Sequence, residues 1–192
     1  MFKMPLVSFI VTSYNYERYI LKTLESIKSQ TYSNFEIIIV DDCSDDNSYE
    51  ICKNFVSQNQ DLRITLIKNE INSGQLASML NGLKLAKGQF VSFIDSDDVL
   101  FENYAQTHIK VHLETSVAFT SCQVAEIGED DELHTLNSVS SPHSPLDTIM
   151  NCEKPNYEVL KNKRFGAWWW SPNSSAMYRK ASIEIGRASC RE

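Results

Sequence analysis

"LVSFIVTSYNYERYILKTLESIKSQTYSNFEIIIVDDCSDD", Leu6 to Asp46, reads as strand, helix, strand. Leu6 to Val11 and Phe35 to Val40 ("FEIIIV") are short apolar runs rich in branched residues, the mark of buried strands. Between them the period changes, and Ile20, Leu21, Leu24 and Ile27 fall on one helical face. The alternation continues. Strands are expected over Arg63 to Ile67 and Phe90 to Ile94, with helical faces at Ile51, Cys52, Phe55 and Val56, then at Leu76, Met79, Leu80 and Leu83. Such alternation predicts an α/β fold of right-handed βαβ units, a mainly parallel sheet with helices on both faces. Open sheets of this kind bind ligands beyond the carboxyl ends of their strands. Each expected strand here runs into a polar cluster: "TSYN", "DDCSDD", "NEINSG" and "DSDD". All four clusters should meet at one rim.

The chain has 192 residues, 42% hydrophobic and 22% charged, which suits one globular domain with a sizeable core. A formal net charge of -7, with no block of Lys and Arg, excludes a surface built to grip nucleic-acid phosphates. No apolar run reaches the ~18 residues a membrane span needs, and the N-terminus lacks a signal-peptide cleavage pattern, so a cytoplasmic location is expected. The five cysteines form no CxxC pair and are expected to be reduced thiols. "EIGRASCRE", Glu184 to Glu192, is what one obtains by translating GAG ATC GGA AGA GCG TCG TGT AGG GAA, which matches the start of a common DNA-sequencing adapter, so a read-through scar is expected here; the alternative is that Glu184, Ile185 and Gly186 form a helix end with a glycine cap. Natural sequence is therefore expected to run to about Ile183, within a longer gene.

The fourth cluster sets Asp95, Asp97 and Asp98 within four positions. An acidic loop often serves a helix N-terminus, and Asp45, Asp46 and Asp98 are expected in that role. Several carboxylates at one rim repel one another by kilocalories unless a cation or a hydrogen-bonding ligand intervenes. With carboxylates as donors and no His or Cys beside them, the fitting cation is a hard one, Mg²⁺ or Mn²⁺. Asp95 and Asp97, two apart, would face one ligand if the strand continued through them.

"VSFIVTSYNYERYILKTLESIKSQTYSNFEIIIVDDCSDDNS" followed by "NEINSGQLASMLNGLKLAKGQFVSFIDSDD" resembles the nucleotide half of family 2 glycosyltransferases, over roughly Leu6 to Leu100. "WWWSPNSSAMYRKASIE", Trp168 to Glu184, resembles that family's Pro-x-Ser-x-Met segment beside the acceptor site. The resemblance implies the Rossmann-like GT-A fold and inverting transfer of a sugar from a nucleotide-sugar donor, with a UDP-sugar as first choice. It implies a glycan, lipid-linked or other hydroxyl acceptor in cell-surface polysaccharide or glycoconjugate synthesis. Peripheral association with the cytoplasmic face of a membrane is compatible with it. Carried across, it places Thr12 and Tyr14 at the base, Asp42 on the base or ribose, Asp97 on the metal, and Asp95 on the ribose or assisting the metal. Asp41 is the alternative to Asp42, as a loop brace. The amide end of the helix after Asn72, Ser73, Gly74 and Gln75 could help hold the nucleotide, or those residues simply start the helix.

The resemblance divides 1–183, a single GT-A domain, into a nucleotide-binding half, 1–100, and the start of an acceptor half, 101–183. Gly128 to Pro145 has little to bury and is expected to be a mobile loop, with His134 and His143 solvated. The family's catalytic base is an Asp or Glu beyond the Pro-x-Ser segment and its helix, so the base is expected past residue 183. Two rivals stand beside this reading. One is a nucleotide-binding module without turnover. The other is a haloacid-dehalogenase-type phosphatase, whose Asp-x-Asp-x-Val pattern "FIDSDDVL" also fits, although that family carries it on its first strand.

Overall fold

In the computed structural model, residues 4–122, 126–127, 133–134 and 173–183 are described. Strands β1 (Val7–Ser13), β2 (Phe35–Asp41), β3 (Ile64–Lys68) and β4 (Phe90–Asp95) alternate with helices α1 (Ile20–Lys28), α2 (Ser48–Gln58) and α3 (Gln75–Leu85). After them come α4 (Tyr104–Glu114), β5 (Phe119–Ser121), β6 (Glu126–Ile127), β7 (Leu133–His134) and β8 (Ala176–Arg179). One sheet has the order β3-β2-β1-β4-β8-β5. Its first four strands are parallel, whereas β8 is antiparallel to both β4 and β5. This is the expected α/β sheet, mostly parallel.

Helices lie on both faces because the central strands are apolar on both. Phe9 and Val11 of β1 and Ile37 and Ile39 of β2 pack with Ile20, Leu24 and Ile27 of α1, Cys52 and Phe55 of α2, and Ala105 and Ile109 of α4. The alternate residues Ile10, Ile38, Val40 and Val91 meet Leu83 and Ala86 on the opposite face. Two of the expected helix positions differ. Leu21 and Leu76 are exposed, and the buried stripe of α3 is Ser78, Gly82 and Leu83. A Cβ on Gly82 would stand 2.4 Å from Ile10 Cγ2, so α3 can sit this close to β1 only without a side chain there.

The strands run further than their apolar residues. Ser13, Asp41, Lys68 and Asp95 all remain in the ladder, so each polar cluster begins on a rigid strand end. Antiparallel β8 starts near where β4 ends, and the 3-10 turn Asn173–Ser175 just before it therefore lies against the tip of β4. Leu133–His134, within the expected mobile loop, pairs antiparallel with Glu126–Ile127; the rest of 128–145, with His143, and the 184–192 tail lie outside the described residues. Among the described residues no helix is long and apolar enough to cross a membrane.

Candidate functional site

The four polar clusters meet at the carboxyl rim, and hydrogen bonds tie them to one another. After β1 the chain turns through Asn15, held at φ 60. That left-handed conformation is fixed from the neighbouring loop: the Asn15 amide donates to Ser44 Oγ at 3.1 Å, and Asn15 Oδ1 accepts from the Asp45 amide at 2.9 Å. The Tyr16 amide donates to Ser48 Oγ at 2.8 Å and the Glu17 amide to Asp46 Oδ2 at 3.0 Å. Asp46 Oδ1 also accepts from the Ser48 amide at 2.9 Å, so Asp46 serves the start of α2 as expected. Burial pushes the Asp46 carboxyl up, but the bonds from Ser48 and the Glu17 amide outweigh it and the net shift is downward. Asp45 contributes its amide to this zipper rather than a cap.

The paired aspartates after β2 have different surroundings. Asp41 is fully buried; its Oδ1 accepts from the Ser44 amide at 3.0 Å and lies 3.8 Å from Lys68 Nζ. Asp42 reaches across to the third cluster. Its Oδ1 accepts from Asn69 Nδ2 at 2.7 Å and the Ser73 amide at 2.9 Å, and its Oδ2 accepts from the Gly74 amide at 2.7 Å. Burial raises the Asp42 carboxyl, yet the bonds from Ser73, Asn69, Gly74 and Ser78 prevail and hold it below the ordinary carboxylate value. Both Ser73 and Gly74 thus present their amides to Asp42. Gly74, the N-cap of α3, takes φ 85, a backbone conformation that glycine adopts without strain.

The fourth cluster corrects two expectations. Strand β4 ends at Asp95, and the Asp98 amide closes a turn onto the Asp95 carbonyl at 3.1 Å, so Asp97 is presented by a turn and strand alternation does not govern it. Asp98 is no helix cap either: α4 begins at Tyr104 behind Asn103, and the Asp98 side chain bonds Ser174 instead. Asp97 is exposed. Asp95 Oδ1 accepts from Gln75 Nε2 at 2.6 Å, and the Asp95 amide donates to Ser174 Oγ at 2.9 Å. Thr12 is buried in register with Asp95, and Tyr14 stands at the rim with its side chain 39% exposed.

Three further residues join the site. The Tyr16 phenol is pushed up first by the charge of Asp97, then by burial and by Asp95 and Asp98, so it lies in the field of all three carboxylates. Gln75 and Ser174 hold Asp95 from either side. No local pattern marks these contacts, because each partner comes from a distant part of the chain. Among the described residues no group of three or more His, Cys, Asp or Glu is placed to hold a metal ion. Asp95 and Asp97 instead offer the oxygen-only, one-or-two-carboxylate donor set that suits a hard cation whose other ligands are water and phosphate oxygens.

The family model described as glycosyl transferase family 2 matches residues 8–185. The chain belongs to that family. It is 44% identical over 185 residues to the glycosyltransferase GlyA of Streptococcus pneumoniae, covering 94% of this chain and 26% of that protein. Among solved structures it is similar to S. aureus TarS 1-349 in complex with UDP, with TM-score 0.70 and 26% identity over 94% of this chain and 48% of that one. It is also similar to the mannosyltransferase PcManGT from Pyrobaculum calidifontis in complex with GDP-Man and Mn²⁺, with TM-score 0.60 and 25% identity over 63% of this chain and 36% of that one. The fold is accordingly of GT-A type. This family 2 chain spans between about a quarter and three-fifths of the length of the first curated relatives it matches. The phosphatase alternative is overturned, since the chain is a family 2 domain and its Asp-x-Asp begins at the end of the fourth strand, not the first.

Proposed function

We propose that this chain is the donor-binding part of an inverting glycosyltransferase that takes a UDP-sugar and passes the sugar to a hydroxyl of a glycan or lipid-linked acceptor in cell-surface polysaccharide or glycoconjugate synthesis. The observation that carries the reading is the linkage of Asp42 to Asp95 through Ser73, Gly74 and Gln75, beside the exposed Tyr14, at the carboxyl rim of a GT-A sheet. In this reading the Tyr14 ring stacks on the base, a contact worth ~1 to 3 kcal/mol. Asp42, an acceptor with no donor of its own, takes the hydrogen bond of base or ribose in place of one now given by Ser73 or Gly74. Asp95 contacts the ribose and, with Asp97, would hold Mg²⁺ or Mn²⁺. Bound there, the ion supplies neutralisation of the charge growing on the departing diphosphate. UDP in the TarS structure and Mn²⁺ in the PcManGT structure support the donor and metal classes. The division into a nucleotide-binding half, 1–100, and the start of an acceptor half, the catalytic base past residue 183 and a cytoplasmic location belong to the same proposal.

Calorimetry with UDP tests it. Affinity should fall at least ~10-fold when Mn²⁺ is replaced by a chelator, because the carboxylates then face the diphosphate uncompensated. Asp97→Ala in Mn²⁺ should bind as weakly as the unaltered chain in chelator. Equal affinity with and without metal would remove the metal from the reading, and absence of UDP binding under every condition would remove the donor.

A further inference from the structure

The segment Asn72–Gln75 touches both proposed donor carboxylates: the Ser73 and Gly74 amides hold Asp42 at 2.9 and 2.7 Å, and the Gln75 carboxamide holds Asp95 at 2.6 Å. Packing does not place this segment. Ile71 before it is 70% exposed and Leu76 after it 71% exposed, and a Cβ built on Gly74 would meet nothing within 4 Å. Its position is therefore set by polar contacts, chiefly those to Asp42, with the Gly74 amide also donating to Asn72 Oδ1 at 3.1 Å. Asp42 in turn is steadied by Asn69, which also donates to Ser78 Oγ of α3 at 2.9 Å. The start of α3, and with it Gln75, is thereby carried to the tip of β4.

We propose that Gln75 is a positioning residue for Asp95, and that Asn72–Gln75 acts as a clasp through which Asp42 and Asp95 are set at a fixed separation for one nucleoside diphosphate. The proposal rests on the donor reading above. A carboxylate at a strand tip has a freely turning side chain unless a neighbour holds it. Gln75 donates to Oδ1 at 2.6 Å, and this bond restrains the turn of the carboxylate that the donor reading sets against ribose or metal. A neutral amide suits the task better than Lys or Arg, since a cation there would compete with the metal for Asp95. Asp97 has no such contact to Gln75, so the clasp acts on one carboxylate of the pair.

The test uses Gln75→Met, close in size but without the donor, and Gln75→Ala, each titrated with UDP in Mn²⁺ and in chelator. Partners that orient metal-binding groups typically matter by 10- to 100-fold, so both variants should lose ~10-fold of UDP affinity in Mn²⁺ and little in chelator. Their melting temperatures should stay within ~2 °C of the unaltered chain, because Gln75 is exposed. A Gln75→Met protein that binds UDP in Mn²⁺ like the unaltered chain would overturn the positioning role, as would equal losses with and without metal. If the unaltered chain itself fails to bind UDP with Mn²⁺, the donor reading fails first and the clasp with it, an outcome distinct from a binding chain that is indifferent to Gln75.

Discussion

Asp97 and Asp98 are neighbours of the same type with opposite surroundings: Asp97 is open to water, while Asp98 is partly buried against Ser174. Burial raises the Asp98 carboxyl, Asp97 raises it further, and the Ser174 hydroxyl only partly offsets them. A raised value in the folded chain means the folded state holds the proton more tightly than the unfolded state does. Ionised Asp98 thus costs stability; the cost is absent below the ordinary value of 3.8 and appears as pH rises through the window up to the folded value. Asp98→Asn, which keeps an acceptor for Ser174, should melt higher than the unaltered chain at pH 7 in chelator. That advantage should vanish below about pH 3.8. Melting curves across this range decide it, and a variant less stable at pH 7 with an unchanged pH slope would show that the charge is not the cause.

Helices α3 and α4 are seated by different physics. Helix α3 approaches β1 through Gly82, and Gly82→Ala would place a methyl 2.4 Å from Ile10 Cγ2 and 3.3 Å from Val40 Cγ2. Overpacking of this kind costs about 1 to 3 kcal/mol, against about 1 kcal/mol gained in helix propensity. A net loss of up to roughly 2 kcal/mol is expected in urea unfolding; a gain would mean the sheet yields. Helix α4 is seated by buried histidines. His108 Nδ1 meets Thr120 Oγ1 at 2.6 Å, and His112 Nε2 donates to the Met177 carbonyl at 3.1 Å. Burial, with a smaller contribution from His112, pushes His108 down to about 4. The unfolded chain takes a proton near 6.5 that the folded chain refuses, so stability is full above 6.5 and is lost as pH falls toward about 4. Replacing His108 with Gln should flatten that dependence in chemical denaturation between these two pH values. An unchanged slope would assign the loss to other groups.

The described residues form three layers, a sheet with helices on both faces, and the polar loops after β1 to β4 gather at one end. Because the proposed donor site exists only when β1, β2, β4 and α3 are assembled, a ligand there binds the folded state alone. At 100 times its dissociation constant such a ligand stabilises by about 2.7 kcal/mol. For a domain of this size that corresponds to a melting-temperature rise of roughly 5 to 10 °C. UDP with Mn²⁺ should give this rise and UDP in chelator a much smaller one at the same concentration, read by thermal scanning. Equal shifts would detach the diphosphate from the Asp95–Asp97 turn.

The four parallel strands β1 to β4 and helices α1 to α3 were legible in the residues from Leu6 to Leu100, because period and branching are local properties that survive in any context. So was the gathering of four polar clusters at one rim, which follows from connection rules for βαβ units. Exposure of Leu21 and Leu76 was not legible, since both satisfy the helical period and only the seating of the helix decides which side meets the sheet. Nor was the turn that takes Asp97 off the strand, or the use of Asp98 against Ser174 rather than at a helix start. Carboxylates, amides and hydroxyls pair with whatever partner three-dimensional proximity supplies. Gln75 on Asp95 and Ser174 beneath it join segments far apart in the chain, and no spacing in the sequence records such a meeting. Residue type therefore announced that charge would collect at the rim, while packing alone chose which carboxylate braces a loop, which is buried and which is left open to a ligand.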